Sequence, residues 1–150
     1  MRIALISRHY NDSSKGTPAV NTVLIAAGDW TKGDQGAPHR VIELLGRKPN
    51  VLVSEVLGIT PSLAEQIAPA DEVIFIDAAN ELGEPWLEPA GNPSRFVDLV
   101  NMARSLFRFQ GKAYVCHVPG LDFSDGAPLT HYAESRARQA AQLLQRFLAV

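Results

Sequence analysis

The chain carries its clearest structural information in Val23-Leu-Ile-Ala-Ala-Gly28-Asp29-Trp-Thr-Lys-Gly33-Asp34-Gln35-Gly36-Ala-Pro38-His39, where an apolar run passes into a glycine-rich loop. The run is short enough for one buried strand, and a helical pattern follows the loop at once. In open parallel sheets ligands bind at such junctions, because the strand ends open onto a crevice. The spacing matches neither a dinucleotide fingerprint nor a phosphate-binding loop. The glycines and aspartates of the loop therefore either belong to a binding site or only turn and hydrate the chain.

The composition is that of an ordinary globular protein. A length of 150 residues predicts a single domain, residues 1–150, in which residues 1–20 add an N-terminal strand and loop. The formal net charge of −2 gives no basic surface for nucleic acid. One cysteine, Cys116, lies in an apolar run, which predicts a buried thiol and fits a reducing compartment. Because the sequence shows neither a signal-peptide pattern nor a membrane-spanning stretch, we expect a cytoplasmic protein.

Strands and helices are predicted to alternate along the chain. Five short runs have the composition of strands: Arg2–Ser7, Thr22–Ala27, Val51–Leu57, Val73–Asp77 and Ala113–Val118. Helical patterns begin near Pro38, Thr60, Asn92 and Thr130. The segment Gly83–Pro93 is rich in proline and glycine and is predicted to be a rim loop in which Trp86 packs.

This alternation favours an α/β domain of three layers, with a mixed, mostly parallel five-stranded sheet. Runs that are apolar throughout are typical of strands covered on both faces. We therefore expect Thr22–Ala27, Val73–Asp77 and Ala113–Val118 to be adjacent central strands. The last helix is expected to pack on the sheet through Leu144, Phe147 and Leu148.

Four motifs follow one another along the chain: the loop Gly28–Pro38, the turn Gly58-Ile-Thr-Pro61, the strand Asp71-Glu-Val-Ile-Phe-Ile-Asp77-Ala78, and the strand, proline turn and loop Val115–Thr130. In this order they resemble the hydrogenase maturation proteases. These endopeptidases clip a C-terminal extension from the large subunit of nickel–iron hydrogenase after nickel insertion. The resemblance runs from about Val23 to Leu148. It implies the three-layer fold of that family and a protein partner, a hydrogenase large subunit or a similar protein.

The resemblance also implies a site for recognising nickel. The family holds its metal with a loop carboxylate, a strand-ending aspartate and a helix-opening histidine, and these positions fall on Gln35, Asp77 and Ser94. An amide and a hydroxyl are poor replacements for a carboxylate and an imidazole around a divalent transition metal. We therefore expect nickel to bind weakly or not at all. The catalytic candidates are Asp34 and Asp77, and all four residues are expected to converge on one cleft; the alternative for Asp77 is a carboxylate that only caps a turn.

Two histidines are candidate substitutes for the lost metal ligands. His39 lies in the first turn of the predicted first helix, and His117 ends the last predicted strand. An imidazole with an ordinary pKa near 6.5 serves either as a ligand or as an acid–base group. For His39 the simpler prediction is a side chain that faces solvent.

Two functions stay open at this point. The resemblance implies a nickel-guided endopeptidase that cuts the C-terminal tail of a hydrogenase large-subunit precursor. The loss of two ligands favours instead a divergent, non-proteolytic protein that binds a hydrogenase subunit or a related metalloprotein as a chaperone or scaffold. A third alternative is an unrelated small-molecule binder, since a fold does not fix a function.

Overall fold

Four parallel strands form the centre of a six-stranded sheet. The structure, a computed structural model, describes residues 2–4, 21–91 and 94–148. The strands are β1 (Arg2–Ala4), β2 (Thr22–Ala27), β3 (Val51–Val56), β4 (Glu72–Ala79), β5 (Trp86–Pro89) and β6 (Lys112–Pro119). They lie in the order β1-β3-β2-β4-β6-β5, and the two edge strands pair antiparallel with their neighbours. The predicted mixed, mostly parallel sheet is confirmed, and so is the adjacency of β2, β4 and β6.

The sheet has one strand more than the five predicted. Trp86–Pro89, inside the segment predicted to be a rim loop, pairs antiparallel with β6 and places Trp86 opposite His117. A proline-containing segment is compatible with this position, because an edge strand needs hydrogen-bond donors on one side only. At the other edge, β1 covers residues 2–4 of the predicted strand Arg2–Ser7. The rest of that prediction and the loop up to residue 20 lie outside the described residues.

Helices cover both faces of the sheet. They are α1 (Ala37–Leu45), α2 (Leu63–Ile67), α3 (Arg95–Phe107) and α4 (His131–Leu148). Successive side chains of a strand point to opposite faces. In β2, Leu24 packs in a buried cluster with α1 and α4, whereas Ile25 packs in a second buried cluster with α2 and α3. The central strands therefore need apolar residues at every position, and the predicted three-layer α/β fold is confirmed.

The last helix packs on the sheet as predicted. Leu144 is fully buried, and Phe147 and Leu148 are partly buried against the same cluster. Complete burial of a leucine side chain stabilises a protein by about 1.5–3 kcal/mol. The ring of Phe147 also contacts Tyr114 of β6 edge-on, with the ring centroids 5.1 Å apart. No helix in the described part of the chain, α4 included, is long and apolar enough to cross a membrane.

Candidate functional site

A cleft opens at the carboxyl ends of β2 and β4, beside the start of α3. It has a volume of about 370 Å³, and we call it the Asp77 cleft. The polar side chains in its lining are those of Gln35, Asp77, Asn80 and Arg95. An open parallel sheet places its ligand site at this end of the strands. The loop predicted to contribute to a site lines this cleft with Gly28 and Gln35.

Gly28 allows this loop to close against the strand end. A Cβ atom at position 28 would overlap the carbonyl oxygen of Gln35, and the φ angle of Gly28 is +158°. The short 3₁₀-helix Gly33–Gly36 then carries Gln35 into the cleft. There the side-chain Oε1 of Gln35 accepts a hydrogen bond from the backbone N–H of Asp29 at 3.3 Å. Gln35 therefore reaches the cleft because position 28 has no side chain.

Asp77 lies near the end of β4, in register with Ala27 of β2 and His117 of β6. Its side chain is 25% exposed. Burial raises the pKa of the Asp77 carboxyl above its usual value, and the positive charge of Arg95, the largest opposing influence, does not cancel this effect. A carboxylate with a raised pKa is a better proton acceptor, which suits a general base.

Arg95 holds the Asp77 carboxylate from the start of α3. Its Nη2 donates a hydrogen bond to Oδ1 of Asp77 at 2.8 Å. Ser94 caps the helix, because its Oγ accepts a hydrogen bond from the backbone N–H of Phe96 at 3.0 Å. The sequence reasoning missed Arg95. The sequence offered one indication: Arg95 is a cation in the first turn of a predicted helix, next to Ser94, the position that corresponds to the family's histidine ligand.

A second cleft, of about 390 Å³, lies on the other side of the Asp77–Arg95 ion pair, and we call it the His117 cleft. Its lining includes Ser94, Glu88 and His117. Nε2 of His117 lies 2.7 Å from Oε2 of Glu88, although the two groups are not aligned as a hydrogen bond. The indole of Trp86 stacks on the His117 ring at 4.4 Å. Trp86 is thus packed as predicted, but in an edge strand and against a candidate site residue.

Asp34 lines neither cleft. It is completely buried, and its carboxylate accepts hydrogen bonds from the backbone N–H groups of Leu121, Asp122 and Thr130 and from the hydroxyl of Thr130, at 2.8–3.1 Å. Thr130 in turn caps α4, because its Oγ1 accepts from the backbone N–H of Ala133 at 3.0 Å. The prediction that Asp34, Gln35, Asp77 and Ser94 converge on one cleft is therefore wrong. Gln35 and Ser94 line different clefts on either side of Asp77, and Asp34 instead ties the first loop to the start of α4.

His39 is buried, so the prediction that it faces solvent is wrong. It is 6% exposed, and its Nε2 lies 2.7 Å from the carbonyl oxygen of Gly28. Its Nδ1 lies 3.1 Å from Oε1 of Glu55, and the indole of Trp30 packs edge-on against the ring at 4.3 Å. A carbonyl oxygen only accepts, so Nε2 is the donor to Gly28. The groups that cover His39 come from β3 and from the loop, which the helical pattern around His39 does not reveal.

The donor set of the site does not suit nickel or another divalent transition metal. Among residues 21–91 and 94–148, no three His, Cys, Asp or Glu side chains lie together as a group that could hold a metal ion. Oδ1 of Asp77 is engaged by Arg95, Oε1 of Gln35 by a backbone N–H, and Oγ of Ser94 by the cap of α3. Neutral amide and hydroxyl oxygens are also weak ligands for such metals. The three family positions are divided between two adjoining clefts that share Asp77, and their donors do not suit a metal ion.

Exposed apolar side chains follow each of the four parallel strands. Trp30, Leu57, Leu82 and Leu121 come shortly after β2, β3, β4 and β6 and are 52–70% exposed; we call them the apolar rim. Within the described ranges, the other exposed large hydrophobic residues are Leu106 and Phe107. They end α3, at the opposite end of the sheet from the clefts. Single exposed apolar side chains are common on protein surfaces, so the apolar rim is a candidate protein-binding surface only because its residues follow the strand ends at which the clefts open.

Solved structures of hydrogenase maturation proteases share this fold. The chain matches the [NiFe] hydrogenase maturation protease HycI from Thermococcus kodakarensis KOD1 with a TM-score of 0.69 and 19% identity, over 95% of this chain and 99% of that one. It matches the hydrogenase maturating endopeptidase HybD from E. coli with a TM-score of 0.69 and 18% identity, over 86% and 92%. HybD from Thermococcus kodakarensis gives a TM-score of 0.67 and 15% identity, over 85% and 99%.

These similarities confirm the fold that the sequence motifs suggested, over nearly the whole length of each neighbour. No protein-family model matches the sequence, and no curated protein matches it. At identities below 20% the neighbours establish the architecture alone. An activity has to be argued from the site itself.

Proposed function

We propose that this protein is a hydrogenase maturation endopeptidase-like protein that acts on the C-terminal tail of a nickel–iron hydrogenase large-subunit precursor. The proposal rests mainly on the Asp77 cleft. A carboxylate with a raised pKa lies at the carboxyl ends of parallel strands, in a fold that solved maturation proteases share. Because one fold hosts many activities, the proposal also needs a suitable partner surface and suitable chemistry.

The apolar rim supports a protein partner. Its four side chains belong to four different loops around the end of the sheet, so a small ligand in one cleft would leave most of them in water. A folded precursor can cover several of these loops while its tail enters the Asp77 cleft. Burial of exposed apolar surface is the main favourable term in protein association.

Asp77 is the residue that we assign to proton transfer. Its raised pKa suits it to take a proton from a water molecule that attacks a peptide carbonyl. Asp34, the other catalytic candidate, receives a positioning role because its carboxylate is buried and hydrogen-bonded on both oxygens. The nickel in this proposal belongs to the precursor, and no step is assigned to a metal held by this chain.

The test is incubation with a nickel-loaded large-subunit precursor, followed by mass measurement of the precursor's C-terminus. We expect loss of the tail. Because general-base catalysis contributes about 10²–10⁴ in rate, Asp77→Asn is expected to slow the cleavage by about 100-fold or more. Asp98→Asn, at an exposed position of α3, is the matched control and should leave the rate unchanged.

A stable complex with an uncut precursor would overturn the cleavage proposal. It would identify the protein as a non-proteolytic chaperone or scaffold. If neither a complex nor cleavage is observed, the hydrogenase precursor is not the partner.

A further inference from the structure

Arg95 supplies the positive charge of the Asp77 cleft. Among the residues that the structure describes, no other basic side chain lines this cleft. Its Nη2 contacts Asp77, the one residue that keeps a ligand-type side chain among the three positions carried over from the family, at 2.8 Å. The guanidinium group of Arg95 therefore lies against the Asp77 carboxylate where a metal ion would need to bind. A guanidinium stays protonated at all physiological pH values.

The guanidinium of Arg95 is held in place by the ring of Phe96 as well as by the carboxylate of Asp77. Its Cζ lies 4.8 Å from the centroid of the Phe96 ring, over its face. Phe96 is 4% exposed and stacks on Phe75 of β4, with 4.7 Å between the ring centroids. Because a buried aromatic pair supports it, the cation is organised before any ligand arrives.

Most hydrogen-bond donors of Arg95 are unused. Asp77 accepts one N–H, and the residues that the structure describes provide no further hydrogen-bond partner for the rest of the group. Arg95 is also 56% exposed, so these donors are accessible from the cleft. On the same cleft lie two side-chain amides, Gln35 and Asn80. The carbonyl of the Gln35 amide is already engaged by Asp29, which leaves its NH₂ as the group available to a ligand.

We propose that the Asp77 cleft binds a carboxylate of the incoming polypeptide through Arg95, with the amides of Gln35 and Asn80 as further donors, and that this recognition replaces metal recognition. A planar carboxylate matches the paired N–H groups of a guanidinium. Asp77 already neutralises much of the positive charge and stands close by, so a monoanion fits better than a doubly charged phosphate. The identification of the ligand as a polypeptide rests on the proposed function. The carboxylate is either the C-terminus of a chain or an acidic side chain.

The test uses three peptide probes on the full-length protein, with EDTA present throughout. They are acetyl-pentaalanine with a free carboxylate, the same peptide as its amide, and acetyl-Ala-Ala-Glu-Ala-Ala-amide. Binding is followed by calorimetry and by the NMR signals of the Arg95 guanidinium. We expect one or both carboxylate probes to bind and to shift these signals, and the neutral amide to do neither. The preferred carboxylate probe then identifies the source of the ligand group.

Two substitutions separate charge from geometry. Arg95→Gln is expected to lower the affinity for the carboxylate probe by about tenfold or more, because a charge-assisted hydrogen bond is lost. Arg95→Lys keeps the charge and loses the planar donor pair. Its affinity for the carboxylate probe should therefore lie between those of wild type and Arg95→Gln. Arg138→Gln is the matched control, because Arg138 is 60% exposed and pairs with Glu134 at 2.9 Å on a different surface. Circular dichroism melting of every variant verifies that it is folded.

Equal binding of the carboxylate and amide probes would overturn the proposal. Unchanged binding of the carboxylate probe by Arg95→Gln would also overturn it. Precursor cleavage that is unaffected by Arg95→Gln would overturn this inference and leave the proposed function intact. Arg95-dependent binding of the probes without any interaction with the precursor would support the carboxylate site and contradict the proposed function.

Discussion

The carboxylate of Asp34 accepts two hydrogen bonds from Thr130, which lies 96 positions further along the chain. One comes from the backbone N–H and the other from the hydroxyl, each at 2.8 Å. The same carboxylate accepts from Leu121 and Asp122 in the loop after β6. A single buried aspartate thus fixes the first loop, the last loop and the start of α4 relative to one another.

The first prediction is that Asp34→Asn destabilises the protein strongly. The amide nitrogen would replace one of two accepting oxygens, and in either orientation it would face N–H or O–H donors that are buried with it. Leaving buried donors unsatisfied costs about 1–3 kcal/mol each, so we expect the free energy of unfolding to fall by about 3 kcal/mol. Urea unfolding measures this.

Asp125→Asn is the control for that experiment, because Asp125 belongs to the same loop region and its side chain is 87% exposed. Its change in unfolding free energy is expected to stay within about 0.5 kcal/mol. A decrease of the same size in both variants would show that the loop as a whole, and not the buried carboxylate, is sensitive to substitution.

The second prediction concerns the pH dependence of stability through Asp77. Burial raises its pKa in the folded protein above the ordinary 3.8. At pH values between 3.8 and the raised pKa of the folded protein, the folded state binds more protons than the unfolded state. The free energy of unfolding therefore falls as pH rises through this window. Wild type should therefore lose stability relative to Asp77→Asn as pH increases upward from 3.8. Arg95→Gln should raise the pKa of Asp77 further, because the charge of Arg95 is the largest influence that lowers it.

Urea unfolding of wild type and Asp77→Asn at a series of pH values gives this difference directly, and carboxyl-carbon NMR titration of Asp77 gives its pKa. A constant difference in stability across the series, or a pKa below 3.8, would contradict the second prediction.

The third prediction is that Cys116 is inert in the folded protein. Burial raises the pKa of its thiol to about 12, and the side chain is fully covered within β6. Thiolate is the reactive form, so alkylation by iodoacetamide should be very slow until urea unfolds the chain. The double variant Cys116→Ser, Ser105→Cys has its one thiol at an exposed position of α3. This variant should react with iodoacetamide at once. Rapid reaction of native Cys116 would show that β6 opens locally.

The fourth prediction separates partner binding from stability. Leu82→Ser in the apolar rim is expected to weaken binding of the large-subunit precursor while changing the unfolding free energy by less than about 0.5 kcal/mol, because a side chain that is 70% exposed contributes little to the core. Leu106→Ser is the matched control. Leu106 is 67% exposed and lies at the other end of the sheet, so its substitution should leave binding unchanged. Equal losses in both variants would exclude a specific role for the rim.

The fifth prediction is that nickel and zinc do not bind stoichiometrically at the Asp77 cleft. One carboxylate, already paired with Arg95, offers too few anionic donors for tight binding. Calorimetric titration of wild type with each metal should show no saturable binding that Asp77→Ala abolishes. Tight binding that disappears in Asp77→Ala would show that His117 or another residue completes a metal site after all.

The elements that could be predicted from the sequence are those whose identity depends on their own residues. Val23 to Ala27 had to be a central strand, because every residue of it is apolar and each face needs a cover. Trp86–Pro89 could not be recognised in this way, since a short edge strand is specified by the neighbour that it pairs with. His39 was misplaced for a similar reason: Glu55, which lies against it, is 16 positions away.

The candidate site followed the same rule. The resemblance predicted that Asp34, Gln35, Asp77 and Ser94 converge on one cleft. In the structure Gln35 lines one cleft with Asp77, Ser94 lines the neighbouring cleft with Asp77, and Asp34 lines neither. The contacts that determine their chemistry were not accessible from the sequence. Whether the Asp77 carboxylate is free or paired depends on the side chain of Arg95, 18 positions away, and no local pattern encodes that distance.

The link from Asp34 to Thr130 also orders events during synthesis. All strands of the sheet leave the ribosome before residue 130 does, so they can pair while α4 is still missing. Until Thr130 emerges, the carboxylate of Asp34 lacks two of its four hydrogen-bond donors. The turn that carries Gln35 is then held by fewer contacts than in the complete protein. We therefore expect the wall of the cleft to be completed last. A nascent or prematurely ended chain would contain the strands and the rim without a finished cleft between them.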